Sequence, residues 1–248
     1  MKGRVALITG AGRGIGLAVA KELAARGAAL ALNDVEAERL AAAASEIPGA
    51  VISTHPGDLR DPAFILSMVQ AAEARHGRVD LLLNNAGGGV PGVPWGPFAD
   101  SRLEDFQALF DFNFLSQARV LHAVLPGMLQ RGYGKVVCVS SVSAVQGQEA
   151  GSAYAAGKAA LHGLVASVAK EVAAKGVTVN GVVLGNPPHP SRTPARQVFL
   201  DKLTHFGRVG RFEEFARAIA FLLSDDSSYM SGTRMPIDGG WLVPRMVE

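Results

Sequence analysis

VALITGAGRGIG, residues 5–16, is the most informative stretch of this 248-residue chain. A short apolar run leads through four glycines into an Ala-rich segment in which Ile15, Val19 and Leu23 recur at helical spacing. This order predicts a βα unit. Glycines permit a tight turn there and let backbone amides and the positive end of the helix approach a phosphate group.

The glycines fit two spacing patterns. G-x-x-x-G-x-G runs through Gly10, Gly14 and Gly16, and the looser G-x-G-x-G runs through Gly10, Gly12 and Gly14. The common G-x-G-x-x-G fails because position 15 is Ile. A tight turn without a ligand would also account for these residues, so the glycines alone do not establish a nucleotide site.

An acidic residue follows the second predicted strand. Asp34 lies 18 residues beyond Gly16, close to the offset of about 20 at which an acid binds the adenosine ribose. Its carboxylate would accept hydrogen bonds from both ribose hydroxyls and repel a 2′-phosphate. Arg13 favours the opposite preference, although its side chain could equally lie on the adenine or in water. We expect NAD as the cofactor, with NADP disfavoured.

Short β-branched runs alternate with longer Ala-rich segments along the whole chain. The runs are nearly free of polar residues, which is typical of parallel strands covered by helices. We predict an α/β fold: a single-domain, Rossmann-type, doubly wound parallel sheet over residues 1–248 with helices on both faces. Strands are predicted at 5–9, 29–34, 51–56, 79–84, 135–140, 178–184 and 234–237, and helices at 14–26, 37–47, 63–76, 101–131, 153–175 and 213–223.

The composition excludes several classes of protein. Hydrophobic residues make up 48% of the chain and charged residues 19%, which is too little charge for disorder. The net charge is +2 with interleaved signs, so we expect no nucleic-acid partner. No apolar run reaches the length of a membrane span or a signal peptide, so we expect no membrane partner and a cytoplasmic location. The single cysteine and the scattered histidines predict neither an internal disulfide nor a metal site.

Tyr154 and Lys158 stand four residues apart in a helix-forming segment, so both project from one face. A phenol has a pKa of about 10, and a nearby ammonium can lower that pKa by about 1 to 3 units. Tyr154 could then exchange a proton with an alcohol or carbonyl oxygen. Such a pair is also common on helix surfaces, so the surrounding motifs decide whether it has a catalytic role.

Other motifs provide that context: Asp58-Leu59 after the third strand, Asn84-Asn85-Ala86-Gly87 after the fourth, Asn113 in the long helix, Ser141 thirteen residues before Tyr154, and Asp238-Gly239-Gly240 near the end. With the glycine turn and the Tyr-Lys pair, these motifs resemble the short-chain dehydrogenase/reductase family in its roughly 250-residue form. The resemblance covers nearly the whole chain.

The resemblance implies roles for four residues. Tyr154 would be the general acid/base, Ser141 would hold the substrate oxygen, and Lys158 would lower the pKa of Tyr154 and bind the nicotinamide ribose. Asn113 would hold, through its backbone, a water that links Lys158 to solvent. The thirteen-residue spacing selects Ser141 over the serines at positions 140 and 143.

The resemblance also implies a cofactor site and an assembly. Asp58 would face the adenine, Asn85 and Gly87 would line the ribose side, and Val183 would approach the cofactor. The expected cofactor-binding residues are Gly10, Arg13, Gly14, Ile15, Gly16, Asp34, Asp58, Leu59, Asn85, Ala86, Gly87, Tyr154, Lys158 and Gly185. A homotetramer is implied, built through the C-terminal strand and the helices at 101–131 and 153–175, which carry Leu109, Phe112, Phe114, Leu161, Leu164 and Val168.

The chain departs from the family after the sixth strand. The family usually has Pro-Gly there, whereas residues 184–193 read LGNPPHPSRT. The prolines predict an extended, partly pre-set substrate loop over about 186–206. Asn186, Ser191 and Thr193 are alternative replacements for the missing carboxamide contacts, and His189 and Arg192 could contact a polar substrate or lie in solvent.

The predicted pocket walls are mostly apolar: Val90, Val93, Trp95, Val142, Val145, Trp241, Leu242 and Met246. We therefore expect an NAD(P)-dependent oxidoreductase acting on a small alicyclic or aryl-alkyl secondary alcohol or ketone. Gln148 and Glu149 could recognise a further polar group. The alternatives are an NADP-dependent 3-oxoacyl thioester reductase, an adenosyl-methionine methyltransferase and a non-catalytic cofactor-binding scaffold.

Overall fold

One parallel sheet of seven strands organises the part of the chain that the computed structural model describes, residues 1–189 and 192–244. The strand order is β3-β2-β1-β4-β5-β6-β7. The strands are β1 (Val5–Ile8), β2 (Ala29–Asp34), β3 (Ile52–Pro56), β4 (Leu81–Asn84), β5 (Gly134–Ser141), β6 (Val177–Leu184) and β7 (Arg234–Ile237). The predicted doubly wound α/β fold is confirmed.

Helices cover both faces of this sheet. They are α1 (Gly14–Ala25), α2 (Ala37–Ser45), α3 (Pro62–His76), α4 (Leu103–Phe110), α5 (Ser116–Arg131), α6 (Ser143–Gln146), α7 (Ser152–Val172), α8 (Pro194–Leu203) and α9 (Phe212–Leu222). Successive strand residues point to opposite faces. Ile8 packs with α1, α2 and α9, whereas Leu7 packs with α3, α5 and α7.

The helix predicted over 101–131 begins later and is interrupted. A π-helical turn, Asp111–Leu115, separates α4 from α5. The Asn113 side chain explains the interruption, because its Nδ2 donates at 2.9 Å to the Leu109 carbonyl. That carbonyl is the one that a regular α-helix would offer to the backbone N–H of Asn113.

The substrate loop predicted over 186–206 contains a helix that the sequence analysis missed. Thr193 caps α8 by accepting a hydrogen bond from the Arg196 N–H, and Pro194 occupies the first helical position. Thr-Pro is a recognisable helix start signal, but the preceding prolines favour an extended conformation for the whole segment. Pro190 of the proline-rich segment, Ser191 and Met246 lie outside the described residues.

The carboxyl ends of β1, β4 and β5 meet at one edge of the sheet because all three strands are parallel neighbours. In open α/β sheets this edge carries the ligand site. Among the described residues, no helix is long and apolar enough to cross a membrane.

Candidate active site

The glycine turn forms a cradle into which side chains do not fit. Gly10 has a φ of +63°, in the left-handed region, and a Cβ on Gly16 would lie 2.1 Å from the Gly10 carbonyl oxygen. At the start of α1, Arg13 provides no side-chain cap, and the first turn carries no acidic residue. The first amides of α1 are therefore not capped by a side chain. Such a turn fits a pyrophosphate.

Asn85 braces this cradle. Its Nδ2 donates to the Thr9 and Gly10 carbonyls at 3.0 and 3.1 Å, and its backbone N–H donates to Thr9 Oγ1 at 2.9 Å. The Ala86 N–H donates to the same hydroxyl. We expected Asn85 to line the ribose side, whereas its amide joins the ends of β1 and β4. Thr9 was not among the expected site residues.

Asp34 is buried at the end of β2, beside the glycine turn. Its Oδ2 accepts a hydrogen bond from the Gly12 N–H at 3.0 Å, and its Oδ1 accepts from the Glu36 N–H at 3.2 Å and from Arg39. The sequence analysis missed Arg39. Its position in the first turn of a predicted helix, five residues beyond Asp34, was the available signal.

The residues expected on the adenine side, Asp58 and Leu59, both have partners within the protein. Asp58 accepts hydrogen bonds from the Arg60 guanidinium, which holds the pKa of this carboxyl below its usual value. The Leu59 side chain is buried in the core beneath α3, so its side chain is structural. A contact between Asp58 and adenine stays a prediction.

Gly185 and Val183 also have structural roles. The Gly185 N–H donates to the Ile237 carbonyl at 3.0 Å, and a Cβ there would lie 2.8 Å from Asp238 Cα. Val183 is buried in β6 beside Pro236 of β7. Ile15 packs against the core beneath α1. Contacts of these residues with a cofactor stay predictions.

Tyr154 and Lys158 lie on α7, and Ser141 ends the neighbouring strand β5. Lys158 is 3% exposed, and its Nζ donates to the Val139 carbonyl at 2.9 Å. A Cβ on Gly87 would lie 2.6 Å from this Nζ and 2.9 Å from Asn113 Oδ1. The loop after β4 therefore passes directly over the lysine.

Burial dominates the ionisation of this pair. It lowers the pKa of Lys158 to about 8 and raises the pKa of Tyr154, which a hydrogen bond with Ser141 opposes. The expected lowering of the Tyr154 pKa by Lys158 is not found. The ammonium lies 6.0 Å from the tyrosine ring centroid and points to the Val139 carbonyl.

Asn113 fastens the loop after β4 to the π-helical turn. Its Oδ1 accepts from the Gly88 N–H at 2.7 Å, and its Nδ2 donates to the Gly88 carbonyl at 2.8 Å. The side chain thus has a positioning role that the sequence analysis did not include. The proposed water on its backbone stays a prediction.

The three serines near Tyr154 have distinct surroundings. Ser140 is buried and donates from Oγ to the Lys158 carbonyl at 2.9 Å. Ser141 Oγ donates to Ser143 Oγ at 3.2 Å, and Ser143 Oγ donates to Gln148 Oε1 at 2.8 Å. Of the three, Ser141 is the one whose hydrogen bond opposes the rise in the pKa of Tyr154.

The expected pocket walls are brought together only in part. The Trp95 and Tyr154 ring centroids are 5.6 Å apart, whereas Val90 and Val142 are buried inside the protein. Arg192 is used within its own segment, since it donates to the Pro187 carbonyl at 2.9 Å and to Gln197 at 3.0 Å.

A family model described as enoyl-(acyl carrier protein) reductase, within the short-chain dehydrogenase/reductase family, matches residues 10–242. The 3-oxoacyl-[acyl-carrier-protein] reductase FabG of Escherichia coli (strain K12) is 35% identical over 243 residues, covering 96% of this chain and 97% of that protein. The chain belongs to the short-chain dehydrogenase/reductase family. This short-chain dehydrogenase/reductase is therefore an NAD(P)-linked oxidoreductase of a secondary alcohol or ketone.

Two solved short-chain dehydrogenase/reductase structures share its fold closely. NAD+-bound xylitol dehydrogenase matches with a TM-score of 0.90 and 30% identity, over 96% of this chain and 99% of that chain. Levodione reductase matches with a TM-score of 0.90 and 33% identity, over 97% and 98%.

Proposed function

We propose that the chain is an NAD-dependent dehydrogenase that interconverts a small, mostly apolar secondary alcohol, alicyclic or aryl-alkyl, with its ketone. The observation that carries the proposal is the grouping of Tyr154, Ser141 and Lys158 at the sheet edge that also carries the glycine cradle. A methyltransferase or a non-catalytic scaffold would have no use for this grouping.

The glycine cradle and Lys158 would hold a nicotinamide dinucleotide, which would supply or accept the hydride. Tyr154 gives a proton to the carbonyl oxygen in reduction and removes it in oxidation. Ser141 donates a hydrogen bond to the same oxygen and stabilises the negative charge that develops there. Lys158 would bind the nicotinamide ribose beside Tyr154, since its ammonium lies 6.0 Å from the tyrosine ring centroid.

An apolar substrate is proposed because of the surroundings of Tyr154. Trp95 lies beside the tyrosine ring and is 46% exposed, so its indole offers an apolar wall. Arg192, the cation of residues 186–193, is held within its own segment. That leaves it poorly placed to clamp a phosphate or a coenzyme A tail. We assign residues 186–206 to the substrate loop.

NAD is proposed over NADP because of Asp34. A buried carboxylate at the end of β2 accepts hydrogen bonds from ribose hydroxyls and opposes a 2′-phosphate. Because the chain is similar to FabG, a 3-oxoacyl thioester reductase is the alternative function that the test has to separate from this proposal.

The test follows nicotinamide absorbance at 340 nm with NAD and NADP, in both directions, across four substrate groups. These are cyclohexanol-like alcohols with their ketones, phenylethanol-like alcohols with their ketones, short sugars, and β-ketoacyl thioesters. We expect the first two groups with NAD to give the highest kcat/KM. An advantage of tenfold or more for sugars or thioesters would reject the apolar substrate class.

We also propose a homotetramer in the cytoplasm. Leu109 and Leu161 are buried within the chain and cannot serve as interface residues. Phe112, Phe114, Leu164 and Val168 are only partly buried and remain available. Light scattering that gives a monomer of 25.8 kDa at micromolar concentration would reject this assembly.

A further inference from the structure

A row of three polar side chains runs from the end of β5 through the short helix α6 to the loop behind it. Ser141 Oγ donates to Ser143 Oγ at 3.2 Å, and Ser143 Oγ donates to Gln148 Oε1 at 2.8 Å. The proposed proton and hydride transfer uses Ser141 but neither of the other two side chains. The polar row therefore extends beyond the reacting centre.

The loop that carries Gln148 is fixed against the loop after β4. The Gly96 N–H donates to the Ala150 carbonyl at 3.1 Å, and the Gly151 N–H donates to the Gln148 carbonyl at 3.1 Å. A Cβ on Gly151 would lie 2.8 Å from both Gln148 Nε2 and Trp95 Cζ3. The amide nitrogen of Gln148 is therefore a neighbour of the indole that forms the apolar wall, and its amide oxygen is directed to Ser143.

This orientation of the Gln148 amide determines the role that is left for Ser143. A serine hydroxyl has one proton and two lone pairs. Because Gln148 Oε1 takes the proton of Ser143, the Ser143 oxygen is left to accept a hydrogen bond, and Ser141 supplies it. When Ser141 turns its proton to a substrate oxygen, Ser143 Oγ needs another donor. The Ser143 N–H donates to Ser141 Oγ at 3.2 Å and holds that oxygen in place during the turn.

The spacing of the two hydroxyls fits two substrate oxygens on adjacent carbon atoms. Ser141 Oγ and Ser143 Oγ are 3.2 Å apart. The oxygens of a gauche vicinal diol are separated by nearly the length of an O–H···O hydrogen bond, about 2.8 Å. A six-membered ring with its oxygens on carbons 1 and 4 holds them much farther apart, so it cannot present one to each serine.

We propose that Ser143, oriented by Gln148, is a specificity-determining residue that accepts a hydrogen bond from a hydroxyl on the carbon next to the reacting one. The inference rests on the proposed function, in which Ser141 holds the reacting oxygen. It narrows the substrate class to vicinal diols and α-hydroxy ketones with an apolar body. The second hydroxyl of such a substrate replaces the Ser141 proton at Ser143 Oγ, so no polar group loses its partner.

The test compares kcat/KM for cyclohexane-1,2-diol with kcat/KM for cyclohexane-1,4-diol, using the full chain with NAD and following nicotinamide absorbance. Each diol has two hydroxyls and the same atoms, so the two differ only in the position of the second oxygen. We expect the better 1,2-diol isomer to be preferred about tenfold, near the upper end of what one neutral hydrogen bond contributes. A preference below threefold would overturn the inference.

Ser143→Ala removes the hydroxyl and keeps the backbone N–H that donates to Ser141. We expect the preference for the 1,2-diol to fall below threefold in this variant and to return in Ser143→Thr, which has a hydroxyl. A general disturbance of Ser141 would slow both diols equally; an unchanged ratio in Ser143→Ala would therefore refute the role of Ser143. The matched control is Ser167→Ala, at an exposed position of α7, which should leave the ratio at its wild-type value.

Gln148→Leu tests the same subsite with Ser143 in place. It removes the amide oxygen that takes the Ser143 proton, so we expect the preference for the 1,2-diol to fall at least threefold. This variant decides the matter if circular dichroism shows that Ser143→Ala does not fold. A full wild-type preference in Gln148→Leu would then reject the subsite.

The outcome separates the two proposals. Wild-type protein that oxidises neither diol nor cyclohexanol, and reduces none of the matching ketones, would reject the proposed function and this inference with it. Wild-type protein that oxidises cyclohexanol and the 1,4-diol as well as the 1,2-diol would reject only the role of Ser143.

Discussion

Lys158 donates a hydrogen bond from its buried Nζ to the Val139 carbonyl oxygen at 2.9 Å. A neutral carbonyl replaces only part of the hydration that the ammonium loses on burial, and the pKa of Lys158 falls to about 8. The fold therefore holds a buried cation at the expense of its own stability.

Lys158→Met should stabilise the cofactor-free protein at pH 7. The pKa falls from 10.5 in the unfolded chain to about 8 in the fold, which corresponds to a penalty of roughly 3 kcal/mol. The substitution also removes the hydrogen bond to Val139, which reduces the gain in stability by about 1 kcal/mol. A net gain of roughly 2 kcal/mol raises Tm by about 4–8 °C in a domain of this size.

The pH dependence gives the control for this prediction. Because the folded pKa lies below the unfolded one, the penalty is complete below pH 8 and disappears as the pH rises from 8 to 10.5. The advantage of Lys158→Met should therefore shrink above pH 8 and be lost before pH 10.5, where only the cost of the missing Val139 hydrogen bond remains. Lys170→Met, at an exposed position of the same helix, should show no such change. An unchanged or lower Tm for Lys158→Met at pH 7 would contradict the argument.

Tyr154→Phe should abolish most turnover. The ring keeps its contact with Trp95, but the proton donor is lost, so kcat should fall at least 100-fold while Kd for NADH changes less than threefold. Steady-state kinetics and fluorescence titration measure the two quantities. Tyr229→Phe is the matched control, since Tyr229 is fully exposed. Activity of Tyr154→Phe within a few-fold of wild type would make Tyr154 a structural residue.

The cofactor-free Tyr154 should ionise above its ordinary pKa of 10, because burial opposes the phenolate more than Ser141 supports it. Ultraviolet titration of tyrosinate in wild type and Tyr154→Phe measures this as the difference between two curves. The chain has three tyrosines, so one missing titration is resolvable. A tyrosinate that forms below pH 9 in wild type and is missing from the variant would show that Lys158 already lowers this pKa.

Gly16→Ala should prevent dinucleotide binding or folding, because its Cβ would lie 2.1 Å from the Gly10 carbonyl oxygen, a backbone atom that cannot move away cheaply. Gly163→Ala is the control. A Cβ at Gly163, on the exposed side of α7, meets nothing within 4 Å. The control should raise the free energy of unfolding by about 0.5–1 kcal/mol. Chemical denaturation and NADH titration of Gly16→Ala that match wild type would disprove the cradle.

Trp95→Ala should raise KM for apolar ketones about tenfold and change kcat less, since the indole lies beside Tyr154 without reaching the proton that is transferred. Leu66→Ala, half exposed on α3, serves as the control for loss of an apolar surface residue. A selective fall in kcat with unchanged KM would instead show that Trp95 positions the Tyr154 ring.

Local patterns in the sequence were sufficient to predict the fold, whereas the roles proposed for Tyr154, Ser141 and Lys158 came from the family resemblance. The alternation of apolar runs and helical segments, the glycine turn, and the Tyr154 and Lys158 spacing are properties of near neighbours along the chain. Backbone geometry converts such spacing directly into strands, turns and helix faces. The π-helical turn was not predicted, because a hydrogen bond from the Asn113 side chain to the Leu109 carbonyl produces it.

Contacts between chain segments could not be deduced in this way. Three contacts depend on how loops and helices pack over the sheet edge. Asn85 reaches the Gly10 carbonyl, Trp95 lies beside Tyr154, and the Arg39 guanidinium pairs with Asp34. The Lys158 pKa depends on the same packing, because the amount of water removed around an ammonium is a property of everything that surrounds it. Spacing along the chain determines which side chains share a face, whereas tertiary packing determines what each of them touches and which charge it can carry.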